Sequence, residues 1–275
     1  MGLHPSGGLL AIAGILVLTI GVSELCADEK PAPPADPNVY ETDRPGEVEN
    51  PFALPPGRAE LISYVVEMNA AAREDEFGGG GSSLLLDATA RFGMGAGFEG
   101  VATIDRFLRT EASEGADAVP SPGVSYATVL AKWNFLRSAT GDLGIAVAPF
   151  IRLPLDRGIG RSSRSESGLL VPFDFDLEGG WEVQGSTGVA REPTGARSWN
   201  TQVENQASLE RTVAERWTAY LELQLASGEG PPAWATEFGM TTRLNAAVRI
   251  DVGCSLGIGR DSRGRMAYAG IGCNF

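Results

Sequence analysis

The sequence predicts an all-β protein, a transmembrane antiparallel up-and-down β-barrel of about twelve strands. Three observations predict it. Apolar and polar side chains alternate along segments of about ten residues, the period-2 signature of strands with one apolar face. The links between those segments alternate between long and short. The final residue is an aromatic, Phe275, closing an alternating segment.

The alternation is clearest in the final hairpin. Val248, Ile250, Val252, Cys254, Leu256 and Ile258 share one face, and Arg249, Asp251, Gly253, Ser255, Gly257 and Gly259 share the other. Ala267, Ala269, Ile271, Cys273 and Phe275 likewise oppose Tyr268, Gly270, Gly272 and Asn274. A two-residue turn at Arg263-Gly264 sets Val252 opposite Phe275, Cys254 opposite Cys273, Leu256 opposite Ile271 and Ile258 opposite Ala269. Earlier segments repeat the pattern. Leu84 to Phe92, Leu169 to Leu177, Trp199 to Leu209 and Ala219 to Leu225 are one strand each, and further segments start near Arg58, Gly95, Val124, Leu143, Trp181, Trp234 and Ala246.

The long linkers run 69–83, 108–122 and 154–167, with shorter ones at 191–198 and 226–232. Tight links fall at Gly93-Met94, 138–141, Gly179-Gly180, 211–214 and Asn245. Outer-membrane barrels have short periplasmic turns and longer external loops, and an even strand count returns both ends to the periplasm. Ile271, Cys273 and Phe275 on one face are the expected signal to the barrel-assembly machinery.

Ahead of the barrel, residues 1–27 read as a signal peptide. An apolar run from Leu9 to Val22 precedes Ser23-Glu24-Leu25-Cys26-Ala27, with small Ala27 suited to cleavage. Cys26 opens a lipoprotein alternative, which Leu25 disfavours. Residues 28–57 carry Pro31, Pro33, Pro34, Pro37, Pro45, Pro51, Pro55 and Pro56, which forbid regular helix or central strand. This periplasmic segment is expected to tuck into the lumen as a plug. Residues 58–275 form the barrel. No later stretch is apolar for about 18 residues, so helical spans are excluded.

A soluble β-sandwich or barrel also alternates. The apolar face here is the more continuous one, while ionisable residues and glycines fill the other, as in a lumen. Tyr64, Trp133, Trp181, Trp199, Trp217 and Trp234 sit near segment ends, where interfacial belts form. Outer-membrane lipid is therefore the expected partner of the apolar face. The net charge of −13 argues against nucleic acid, whose phosphates need a basic surface.

The residues expected to line the lumen are Glu67, Asp87, Arg91, Glu99, Asp105, Lys132, Arg152, Asp174, Asp176, Glu178, Glu182, Glu204, Glu222, Glu237, Arg243, Arg249 and Asp251. Acid outnumbers base among them. A water-filled lumen of that sign prefers cations or neutral solutes, because fixed charge excludes its own kind.

No catalytic, cofactor or metal site is expected. The single histidine, His4, lies in the signal segment, which removes Ser–His chemistry from the mature chain. Asp174, Asp176 and Glu178 share a face and oxygen ligands suit hard cations, but pairing with nearby arginines is the preferred reading. The run Gly78–Gly81 lacks the Lys-Ser/Thr that completes a phosphate cradle and reads as a loop. Cys254 and Cys273 are open to either a cross-strand disulfide or two thiols.

One stretch carries a family likeness. Glu41-Thr42-Asp43-Arg44-Pro45, then Asn50-Pro51-Phe52-Ala53-Leu54-Pro55-Pro56-Gly57-Arg58-Ala59-Glu60-Leu61, resembles the opening of the outer-membrane barrel family catalogued under the MetA-pathway of phenol degradation, often called transporter. Ala148–Pro154 and Val171–Phe175 are similar to its mid-barrel segments. The resemblance implies uptake of small aromatic or apolar compounds. Glu60 stands where the family usually has Gln, and the abundance of acid is not a family trait, so the substrate stays open. Two functions are carried forward: passive passage of a small solute, and a closed structural or adhesive barrel working through its external loops.

Overall fold

Strands of alternating pattern have two faces to bury, and a sheet that closes on itself leaves no unpaired edge. In the computed structural model the chain forms twelve antiparallel strands closed into one barrel, each paired with its sequence neighbours and β1 with β12. The described residues are 49–70, 81–112, 125–138, 142–155, 164–193, 198–214, 216–228, 231–259 and 264–275. Residues 1–27, expected as a signal peptide, most of the Pro-rich segment and Gly78–Gly80 lie outside them.

The strands are β1 (Ala59–Ala70), β2 (Gly81–Gly95), β3 (Phe98–Ala112), β4 (Ser125–Arg137), β5 (Leu143–Pro154), β6 (Glu166–Leu177), β7 (Trp181–Pro193), β8 (Trp199–Ala214), β9 (Trp217–Ser227), β10 (Ala233–Arg243), β11 (Val248–Ile258) and β12 (Gly264–Asn274). The shortest have 11 residues. At about 3.3 Å per residue and a tilt of about 40°, such a strand spans about 28 Å, the thickness of a bilayer's hydrocarbon core.

The outer face settles membrane against water. Leu61, Phe92, Ile104, Val129, Ile151, Leu169, Val189, Val203, Leu221, Phe238 and Val252, one from each of β1 to β11, are all exposed. A water-soluble chain rarely exposes contiguous apolar area beyond a few hundred Å². Here exposed apolar side chains run around the barrel from β1 to β11, Ile271 and Cys273 of β12 are buried in a small cluster with Val248, and charged side chains such as Arg91, Glu99, Lys132 and Asp251 are buried inside, so lipid is the solvent this surface fits. Aromatic side chains gather near the strand ends. Phe98 stacks on Trp133 with centroids 5.6 Å apart, and Arg211 lies over Trp181 at 4.9 Å. Tyr64 does not join this belt, because it faces inward and is buried.

Three local expectations change. The link expected at 211–214 lies within β8, which stays paired with β9 through Ala214. The first tight link falls at Ala96-Gly97, not Gly93-Met94, because β2 and β3 continue past Gly93 through a register shift. In the final hairpin Val252 faces Ala269, Cys254 faces Ala267, Ile250 faces Ile271 and Val248 faces Cys273. The predicted pairing is thus displaced along the strand, and the register does not bring Cys254 and Cys273 together. An even displacement preserves the faces, so alternation alone could not detect it. Gly179-Gly180 forms its turn as expected, at φ of 79° and 74°.

Candidate functional site in the barrel interior

Strand parity aims one set of side chains inward, and burial divides that set into two levels. The level beside the short turns, where β1 starts and β12 ends, is dry. The level toward the long loops is only partly buried.

The dry base begins with chain ahead of β1. Residues 49–56 run inside the mouth, with Asn50, Pro51, Phe52 and Leu54 buried. Asn50 closes a local turn by accepting from the Phe52 amide at 2.7 Å. The Lys132 ammonium donates to the Asn50 carbonyl at 2.7 Å, and the Leu54 amide donates to Glu99 Oε2 at 2.7 Å. The described part of the Pro-rich segment therefore occupies the lumen, as a plug would.

The seat of this segment is an ion cluster built across β1 to β4. Arg91 donates through Nε and Nη2 to the two oxygens of Glu99 at 2.9 and 3.1 Å, and through Nη1 to Glu60 at 2.7 Å. Lys132 meets Glu99 at 3.1 Å, and the side chains of Arg91, Lys132, Glu60 and Glu99 are 0% exposed. Charges this dry persist only when paired and hydrogen-bonded. Two glycines make room: a Cβ on Gly93 would fall 2.1 Å from the Pro55 carbonyl, and one on Gly144 would fall 2.5 Å from the Phe52 ring.

Across the base, three tyrosines form a second network. Tyr64 donates to Asp251 at 3.4 Å, Arg249 Nε donates to the same oxygen at 3.0 Å, and Thr241 donates to the other Asp251 oxygen at 2.5 Å. Tyr268 donates to Glu237 at 2.6 Å and shares a hydrogen bond with Tyr220. Each tyrosine lies directly opposite a glycine on the neighbouring strand: Tyr64 opposite Gly270, Tyr220 opposite Gly239, Tyr268 opposite Gly253. The rings lie over those glycines, since a Cβ on Gly270 would fall 1.7 Å from the Tyr64 ring. The glycines of the inner face are shelves for aromatic rings.

Toward the loops the interior opens. Asp87 and Asp105 face each other across β2 and β3, and Arg152 donates to Asp105 at 3.0 Å while lying 4.4 Å over the Tyr126 ring. Glu166 is 3.9 Å from Arg152, whose side chain keeps 35% exposure. Glu192 and Glu204 share the inward parity of the neighbouring strands.

The two sides of the interior also differ. On β3 to β6 the inner face is an apolar patch of Val101, Leu130 and Ala148 with Phe150 and Leu170 packed against it. On β7 to β9 it is amide and acid: Ser186 donates to Gln206 at 3.1 Å, Gln224 to Glu222 at 2.8 Å, Gln202 to Glu204 at 2.8 Å, and Gln184 to Glu182.

Of the residues predicted to line the lumen, Asp87, Arg91, Glu99, Asp105, Lys132, Arg152, Asp174, Glu182, Glu204, Glu222, Glu237, Arg249 and Asp251 point inward. Asp176 and Arg243 share that parity but are exposed at the base rim. Two placements are corrected. Glu67 shares parity with exposed Leu61, so it points outward near the loop end, while Glu60 takes the inward position; Val65 and Val66 in succession obscure the alternation there. Glu178 lies beyond β6 in an exposed turn, so it and Asp176 do not converge with buried Asp174. Among the described residues no group of three or more His, Cys, Asp or Glu converges to hold a metal ion. Sequence reasoning missed Glu60, Glu166, Glu192, Glu210 and the three tyrosines. Tyrosines set opposite glycines were the available signal, readable only once the register is known.

No protein-family model matches the sequence. No curated protein matches it. Solved structures share its fold. An outer-membrane channel from Pseudomonas putida F1 superposes with a TM-score of 0.64 at 12% identity, over 85% of this chain and 100% of its own. The NanC porin gives 0.56 at 8% identity over 78% and 98%. The KdgM porin in complex with disordered oligogalacturonate gives 0.52 at 12% identity over 78% and 99%. The shared fold is the outer-membrane β-barrel.

Proposed function

We propose that this barrel passes small solutes across the outer membrane passively, without a covalent step, and that its interior favours neutral or cationic solutes over anions. The observation that carries this is the inner wall itself. In the loop-side half, Asp87, Asp105, Glu166, Glu192 and Glu204 surround Arg152, so a negative field meets a solute arriving from the loops. The apolar patch of Val101, Leu130, Phe150 and Leu170 gives an aromatic or aliphatic body a surface to slide on. The resemblance of the opening motif to the phenol-degradation family supports the same choice of cargo. KdgM's solved complex is with an oligogalacturonate, an acidic sugar; the field here repels such a solute.

The dry, plugged base favours a second reading, a closed structural or adhesive barrel acting through its external loops. Planar-bilayer recordings under a KCl gradient separate the two. The channel reading expects a reversal potential of potassium preference, and liposome swelling with phenols exceeding that with galacturonate. Preference for chloride sinks the cation reading, and silence in both assays leaves the closed barrel.

A further inference from the structure

We infer that residues 49–56 are a gate: a stiff strap, joined to the wall at Gly57, that leaves its seat to open the base mouth. The inference rests on the channel reading and adds where the closure lies and what holds it.

The strap is not part of the wall. Residues 49–56 make no ladder with any strand, and Pro51, Pro55 and Pro56 deny them the amides a ladder needs. Four kinds of contact hold the strap: main-chain groups of Asn50 and Leu54 on Lys132 and Glu99, the Glu49 carboxylate 3.6 Å from Lys132, apolar burial of Phe52 and Leu54, and the Phe52 ring against Gly144 with Arg137 over it at 4.9 Å. Water can replace the first kind when the mouth opens.

The seat is complete without the strap. Arg91 bridges Glu99 and Glu60, and Lys132 reaches Glu99, so Arg91 and Lys132 balance Glu60 and Glu99 without Asn50, and the Glu49 carboxylate that leaves with the strap is already partly exposed. Withdrawal therefore strands no buried charge, the event that makes breaking such clusters costly. A segment needed to neutralise the cluster would be a fixed cork. At the other end, Gly57 has φ of 78° with open space where a Cβ would stand, and its amide is tied to the Gly93 carbonyl at 2.9 Å. That tie is a fixed pivot for a rigid arm.

The test uses the full chain in planar bilayers, with Cys254→Ala and Cys273→Ala as background. Phe52→Cys and Gly144→Cys, joined by a short reducible bis-methanethiosulfonate, are expected to abolish conductance, and reductant to restore it. Gly144→Leu, which fills the place of the Phe52 ring, is expected to raise open probability severalfold in a barrel that keeps heat-modifiable gel mobility. Tethered protein that conducts like the untethered form overturns the gate and leaves the channel standing. So does a folded Gly144→Leu barrel with unchanged openings. If neither the background protein nor Gly144→Leu conducts, the channel reading falls and the gate falls with it.

Discussion

The two levels of the barrel interior use the same residue types to opposite ends. At the base Arg91 is wholly dry, bound to Glu60 and Glu99 by three hydrogen bonds. In the loop-side half Arg152 faces Asp105 and Glu166 with a third of its side chain in contact with solvent. The difference teaches that an inward charge in a barrel is structural or functional according to whether water reaches it. A dry charge answers to its partners alone, whereas a wet one is screened, contributes little to stability and is available to a passing ion.

The largest effect is expected at the base. Arg91→Ala leaves Glu60 and Glu99 buried with a partner lost, and should cost about 3–5 kcal/mol, read as a lower urea midpoint in detergent micelles or loss of the heat-resistant gel band. A loss below about 1 kcal/mol would place the base charges in the same class as those of the loop side. Tyr64→Phe removes one neutral donor to Asp251 while Arg249 and Thr241 remain, so about 1 kcal/mol is expected by the same midpoint. Arg152→Gln should cost less than about 1 kcal/mol, yet shift the reversal potential toward stronger potassium preference in a barrel with the strap unseated. An unshifted potential would mean that the loop-side charges do not face the conducting path. Glu67→Gln, on the outer face near the loops, should move neither the midpoint nor the potential. A clear change in selectivity there would return Glu67 to the lumen.

Much of the barrel was legible from residues alone. Alternation marked the strands, and the starts predicted at Leu143 and Trp181 coincide with β5 and β7. It also aimed most of the charges correctly, because parity is a local property of an extended chain. It failed where the strand carries no contrast between faces, as at Glu67 beside Val65 and Val66, and where a strand stops, as at Glu178. From its prolines residues 28–57 were expected outside the sheet, and residues 49–56 are in no strand. The same prolines that exclude residues 49–56 from the sheet leave them only the lumen or the periplasm, and the choice was made by Gly93, Glu99, Lys132 and Gly144, one from each of the four strands β2 to β5.

By itself, then, the sequence determined an all-β chain with one apolar face, strands long enough to cross a bilayer and an acid-rich interior, since composition, length and period-2 pattern are read within single segments. Tertiary structure decided the pairing. Single-residue bulges at Leu84/Leu85, Asn134/Leu136 and Thr212/Ala214 displace partners and break the alternation locally, as where Phe135 and Leu136 are both exposed. Tyrosine rings on Gly239, Gly253 and Gly270 then select one registration among those with the same faces. The division into a dry base and a wet loop-side half follows from that choice, because whether water reaches a charge depends on what the opposite wall and the strap place beside it.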